Sequence, residues 1–252
     1  MTVSAPPRSL PAAAGLLVEH ARIDPSASGQ CDHRRFKIAS ADSFVVREST
    51  NLLLKQRYGW RGYQTVSLPS NQTANRITLT AIEGEETIGT ITVGLDGLDG
   101  MNCEDAFGAE IAALRAAGHR VCEFTKLAID PEAGTKRVLA GLFHVAYIVA
   151  HRLRGYDTLV MEVNPRHVRY YQRILGAQVL GAQRMNQAVK APAVLLTISF
   201  AYIAEQIRQL GGRPELSSAD RSLYSLAFSG REEDGIITRL MAAQRPASMA
   251  LN

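Results

Sequence analysis

Two glutamates stand where a charge is costly. Glu123 lies in V-C-E-F-T-K-L-A-I (121–129) and Glu162 in T-L-V-M-E-V (158–163), both apolar runs with β-branched residues. Each run is stopped by a turn pair, Asp130-Pro131 or Asn164-Pro165, and reads as a buried strand. Alternation puts Glu123 on one face with Val121, Thr125 and Leu127. A carboxylate so placed is desolvated, its pKa rises, and it can accept a proton near neutral pH. The alternative is a structural carboxylate paired with Lys126 or an arginine, since ion pairs perturb carboxylates too. The flanks of Glu162 are equally apolar, so burial does not rank the two. Downstream, Tyr170 and Tyr171 stand side by side, and a stacking or core role is open to both. His167, beside Arg166 near a helix start, reads as solvated or capping.

The elements that must hold these groups can be read from periodicity. Between the two runs, Val138, Leu142, Val145, Ala146, Val149 and Leu153 recur at helical spacing and mark one apolar face. A second helix carries Val168, Tyr171, Ile174 and Leu175 up to Gly176. Strand, helix, strand, helix makes a parallel pair with a crossover, whose loops are the working end. Upstream, residues 35–39 alternate as a first strand. A helix capped within Ser40–Asp42 runs to Tyr58-Gly59, and 77–82 with 87–93 form a hairpin about Gly84. Residues 94–100 form a Gly/Asp loop, and a short helix spans 106–116. Strands at 178–180 and 194–200 come next, then helices at 203–210 and 222–241. The fold class is α/β, with a mixed sheet.

Composition bounds the partners. The 252 residues are 46% hydrophobic, ample for a core, and the net charge of +4 is spread without the basic stripe of a nucleic-acid binder. No run reaches the ~18 apolar residues of a membrane span. Three cysteines (Cys31, Cys103, Cys122) show no metal-ligand spacing, and an odd count without a framework points to a reducing cytoplasm. Residues 1–33 read as a poorly ordered Pro/Ala/Ser lead-in in preference to a cleaved signal peptide. Residues 34–201 read as the sheet-bearing unit and 202–252 as a helical extension.

Four segments in this order, R-Y-G-W (57–60), E-I-A-A-L-R (110–115), E-F-T-K-L-A-I-D (123–130) and N-P-R-H-V-R-Y-Y-Q-R-I-L-G (164–176), resemble the GNAT acyltransferases. Within them the chain resembles the long-chain N-acyl amino acid synthases, relatives of the acyl-homoserine-lactone synthases. The likeness spans residues 36 to 200. It implies a GNAT fold, a seven-strand mixed sheet flanked by helices and splayed beside Glu123, with the pantetheine arm of an acyl donor in the splay. It further implies that Glu123 is the base, working through water. Tyr171, seven residues after Asn164, would protonate the leaving thiolate. Glu162 would orient or hydrogen-bond the substrate.

In this family Leu127, Ala128 and Ile129 would lend backbone groups to the pantetheine amides, and Gly134, Thr135, Lys136 and Arg137 would face its phosphate. Acetyl-CoA enzymes of the fold carry a glycine-rich turn there, whereas A-G-T-K-R-V-L has one glycine. That favours the single phosphodiester of an acyl carrier protein over acyl-CoA, its acidic surface meeting Lys136, Arg137, Arg152 and Arg154. The lactone-forming relatives place an arginine where Thr50 stands and acids after the tryptophan. No acid falls between Arg61 and Arg76 here, so the acceptor is expected to be an amino acid, with Trp60, Asn164 and Arg47 or Arg166 at its site. The competing expectations are an acetyl-CoA-dependent N-acetyltransferase and a non-catalytic binding module.

Overall fold

A computed structural model of the chain describes residues 36–59, 66–68, 73–187 and 189–243. Seven strands form one mixed sheet in the order β1-β2-β3-β4-β5-β7-β6. They are β1 (Lys37–Ser40), β2 (Arg76–Glu83), β3 (Glu86–Leu95), β4 (Val121–Ile129), β5 (Thr158–Val163), β6 (Gln178–Asn186) and β7 (Ala191–Ser199). Only β4 and β5 run parallel, joined by the crossover helix α3 (Lys136–Tyr147). Two helices, α1 (Phe44–Gly59) and α2 (Glu104–Ala116), cover one face of the sheet. The other face carries α3, α4 (Val168–Leu175), α5 (Phe200–Leu210) and α6 (Gly230–Ala243) in one continuous core.

The β4–β5 pairing is short. Val121, Cys122 and Glu123 pair with Thr158, Leu159 and Val160, and the ladder then stops. Beyond Glu123 the strands part, as the family resemblance implies. On its other side β4 stays paired with β3 but bulges: Thr92 pairs with Thr125, whereas Thr90 pairs with Ala128. Lys126, at φ 50, occupies the bulge. The extra residue reverses the facing of the strand beyond it. Leu127 therefore packs with the α3-side core and not on the Glu123 face, correcting the simple alternation.

The turn after β4 is tight for local reasons. Asp130 Oδ1 accepts the N–H groups of Glu132 (2.9 Å) and Ala133 (2.8 Å). A Cβ at Gly134 would collide with the Ile129 side chain and the Asp130 carbonyl, so glycine is required. Thr135 then caps α3, its Oγ1 accepting from the Val138 N–H at 3.3 Å.

The final helix differs from expectation. The span 222–241 is not continuous: a 3-10 turn (Tyr224–Leu226) precedes α6. Ser229 and Glu232 form a reciprocal cap, with the Ser229 N–H donating to Glu232 Oε2 (2.8 Å) and the Glu232 N–H to Ser229 Oγ (3.4 Å). His144 of α3 ties this region down. Its Nδ1 accepts from the Phe228 N–H at 3.0 Å, so its Nε2 carries the proton and donates to Glu233 Oε2 at 3.2 Å.

Candidate active site

Glu123 is 1% exposed, yet its surroundings are less apolar than its sequence neighbours suggest. Oε1 accepts from Arg76 Nη1 (3.2 Å) and the Asn102 N–H (2.9 Å), and Oε2 accepts from the Cys103 N–H (3.1 Å). Arg76 comes from the start of β2, and the two amides from the N-terminus of α2. The carboxylate thus has an arginine partner, and that partner is Arg76, not Lys126. A carboxylate offers about four acceptor directions, so three donors leave one unused. Burial, joined by the Glu123 charge, pushes the neighbouring Cys103 thiol well up.

Where β4 and β5 part, a cleft of about 550 Å³ opens. Its walls include Phe124 to Ile129 of β4, Met161 to Val163 of β5 with Asn164 just after it, Tyr58 of α1 and Tyr171 of α4. Tyr58 fixes one wall, its hydroxyl donating to the Leu127 carbonyl at 2.8 Å. Glu123, the last β4 residue paired with β5, directly precedes the lining residue Phe124 and is not itself on the lining. Glu162 is on the lining, half-buried, and accepts from Asn186 Nδ2 at 2.6 Å. Burial holds its carboxyl above the usual range, the Asn186 bond opposes this, and the charge of Glu123 adds to the rise.

The expected site residues divide into groups. Leu127, Ala128, Ile129, Glu162, Asn164, Arg166 and Tyr171 all line the cleft. Tyr171 stacks edge-on with Tyr170, ring centres 5.4 Å apart. Asn164 Oδ1 accepts both the Arg166 N–H (3.2 Å) and its Nε (3.0 Å), which orients that arginine at the mouth. Gly134, Thr135, exposed Lys136 and Arg137 sit beyond Ile129 at the start of α3, outside the lining. Arg47 stands apart on α1, its Nη1 3.5 Å from the Ala41 carbonyl oxygen. Trp60 lies outside the described residues. Arg76, Asn186 and Tyr58 have contacts that no spacing announced, because each arrives from a distant element.

A mixed sheet parted beside a buried glutamate, with the backbone of one strand facing an open cleft, defines a GNAT-fold acyltransferase. The family model described as N-acyl amino acid synthase FeeM matches residues 49–199, more than half of the 252. The chain belongs to that family. The solved structure of FeeM, an N-acyl amino acid synthase from uncultured soil microbes, superposes with a TM-score of 0.58 at 22% identity, covering 67% of this chain and 92% of that one. The AHL synthase LasI superposes at 0.48, with 15% identity over 66% and 89% of the two chains. A putative N-acetyltransferase from Lactobacillus plantarum does so at 0.47, with 16% identity over 66% and 98%. No curated protein matches.

Proposed function

We propose that this acyltransferase moves a fatty acyl group from an acyl carrier protein thioester to the amine of an amino acid. The observation that carries the reading is the cleft between β4 and β5, whose lining on β4 begins at Phe124, directly after the buried, hydrogen-bonded Glu123. The acceptor nitrogen attacks the thioester carbonyl, and its proton passes through water to the free acceptor direction of Glu123. The C–S bond breaks, and the thiolate takes a proton from Tyr171, leaving an amide and a free carrier thiol. Glu162 is the second reading for the base, favoured by its place on the cleft wall and its raised pKa.

The carrier protein is preferred over CoA because Gly134 serves its own tight turn, and no further glycine opens a pyrophosphate cradle between Ala133 and Leu139. Exposed Lys136 beside Arg137 offers positive charge to an acidic carrier. Pantetheine amides would pair with the backbone of Leu127 to Ile129. The acyltransferase unit is taken as 34–201 and the helical extension as 202–252, supported by a family match that ends at 199. A cytoplasmic setting is supported by Cys103 and Cys122, both buried free thiols. Among the described residues no helix is long and apolar enough to cross a membrane. Mass spectrometry of lipid extracts from an overexpressing bacterium tests the reading. Accumulation of an N-acyl amino acid is expected, and an N-acetylated product alone would overturn it.

A further inference from the structure

We infer that the Lys126 ammonium is the binding group for the acceptor's α-carboxylate, which makes the enzyme selective for amino acids over simple amines. The inference rests on the acyl-transfer reading above but is tested apart from it.

Lys126 holds an unusual position. It sits in the β4 bulge at φ 50, a left-handed conformation that side-chain-bearing residues rarely adopt and that marks functional sites when the surroundings enforce it. Here they do: Thr125 is locked to Thr92 on one side of it and Ala128 to Thr90 on the other. The residue lines the cleft at the point where the strands separate, and its side chain is half-buried. Among the described residues it has no hydrogen-bond or ion-pair partner. Glu123, whose charge it feels, is already engaged by Arg76. Burial pulls the Lys126 pKa down, Arg76 pulls it further, and Glu123 only partly compensates.

A half-buried ammonium without a counter-charge is costly, and an arriving anion relieves that cost. The acyl donor brings no anion to this depth, since its phosphate belongs at the far end of the pantetheine arm. An α-amino acid does: its carboxylate is one carbon from the amine that must lose a proton toward Glu123. The other cations are less suited. Arg76 is spent on Glu123 and on the Gly100 carbonyl (3.4 Å), and Arg166 is turned back onto Asn164. Arg57 lines the cleft too, from the last turn of α1, and serves as the comparison.

The test is calorimetric binding of N-dodecanoylalanine and of N-ethyldodecanamide, the same molecule without its carboxylate, so that no turnover is needed. The wild-type protein is expected to favour the carboxylate by about 10- to 100-fold, the usual worth of a hydrogen bond to a charged group. Lys126→Gln should erase that preference while leaving the amide's affinity unchanged, and Lys126→Arg should keep most of it. Lys126→Gly, which suits the positive φ, removes the ammonium without straining the backbone and should behave as Lys126→Gln does. The inference is overturned by equal wild-type affinity for the two ligands, or by binding of neither. It is also overturned by an equal loss for both ligands in Lys126→Gln and Lys126→Gly, or by loss of the preference in Arg57→Gln instead. A carboxylate preference that depends on Lys126, in a protein that acylates no amino acid, would sink the acyl-transfer reading and leave the subsite standing.

Discussion

Gly94 faces Glu123 across the β3–β4 ladder, and the space a Cβ would need at 94 is filled by the glutamate, whose Cγ would lie 2.7 Å away. The glycine is the room the carboxylate occupies. Gly94→Ala should push Glu123 off Arg76 and the two α2 amides, with an overpacking cost of about 1–3 kcal/mol. Turnover is expected to fall more than the melting temperature can explain. Unchanged kinetics would mean that the position of Glu123 does not matter to the reaction.

Glu123→Gln retains shape but accepts no proton, and a lost general base is worth ~10²–10⁴-fold in rate. The deficit should narrow as pH rises and more of the acceptor amine is already neutral. Single-turnover acyl transfer, with thermal unfolding in parallel, decides this. Near-normal rates would move the base to Glu162.

Glu162 makes a separate, thermodynamic prediction. Its folded pKa is raised above the ordinary 4.5 by burial, so ionising it in the fold is unfavourable. Its contribution is fully present below the unfolded pKa and is lost as pH rises through the folded value. Glu162→Gln should therefore melt higher than wild type at pH 7 to 8, with the gap closing near pH 4. A gap that widens in acid would contradict the assigned sign.

Charge reversal at Lys136 and Arg137 to glutamate should weaken transfer from an acyl carrier protein, with the loss largest at low salt, because exposed charges are screened within about 10 Å at 0.1 M. Transfer from acyl-CoA should change far less. Equal carrier affinity at low salt would remove this surface from the docking site.

Glu233 is buried against His144 and Arg152, the latter at 3.1 Å. Burial raises its pKa, but the His144 hydrogen bond and the positive charge of Arg152 outweigh this and hold it below the ordinary 4.5. Its stabilisation is present above pH 4.5 and is lost as pH falls through the depressed value. Glu233→Gln should cost on the order of 1–3 kcal/mol at pH 7 by denaturant titration, and progressively less in acid.

Much of this architecture is legible in the residues. The runs at 121–129 and 158–163, the stripe from Val138 to Val149 and the hairpin about Gly84 all appear where the local apolar pattern places them; the two strands start with both faces buried and α3 is buried from Val138 to Tyr147. The Lys126 bulge is not legible, since nothing in F-T-K-L-A asks for a left-handed lysine; the β3 register imposes it. Arg76 is invisible as the Glu123 partner for a similar reason: 47 residues separate them, and only the sheet order brings them together. The break before α6 is readable, in Ser229 with Glu232 three residues later, but the apolar periodicity on either side masks it.

The early end of the β4–β5 ladder has one more consequence. An ordinary open sheet has two rims of unpaired backbone, both on the outside, where another molecule's strand can attach. This sheet has a second pair of rims in its middle, from Phe124 onward on one side and Met161 onward on the other, walled by Tyr58, Phe143 and Tyr171. In the proposed reaction, a slender donor arm with amides of its own would thread between them and pair with the backbone as a removable strand. A whole β-sheet cannot enter. The inner rims would therefore offer strand-like pairing to a slender chain alone, whereas a strand of another copy could meet only the outer rims, β1 and β6.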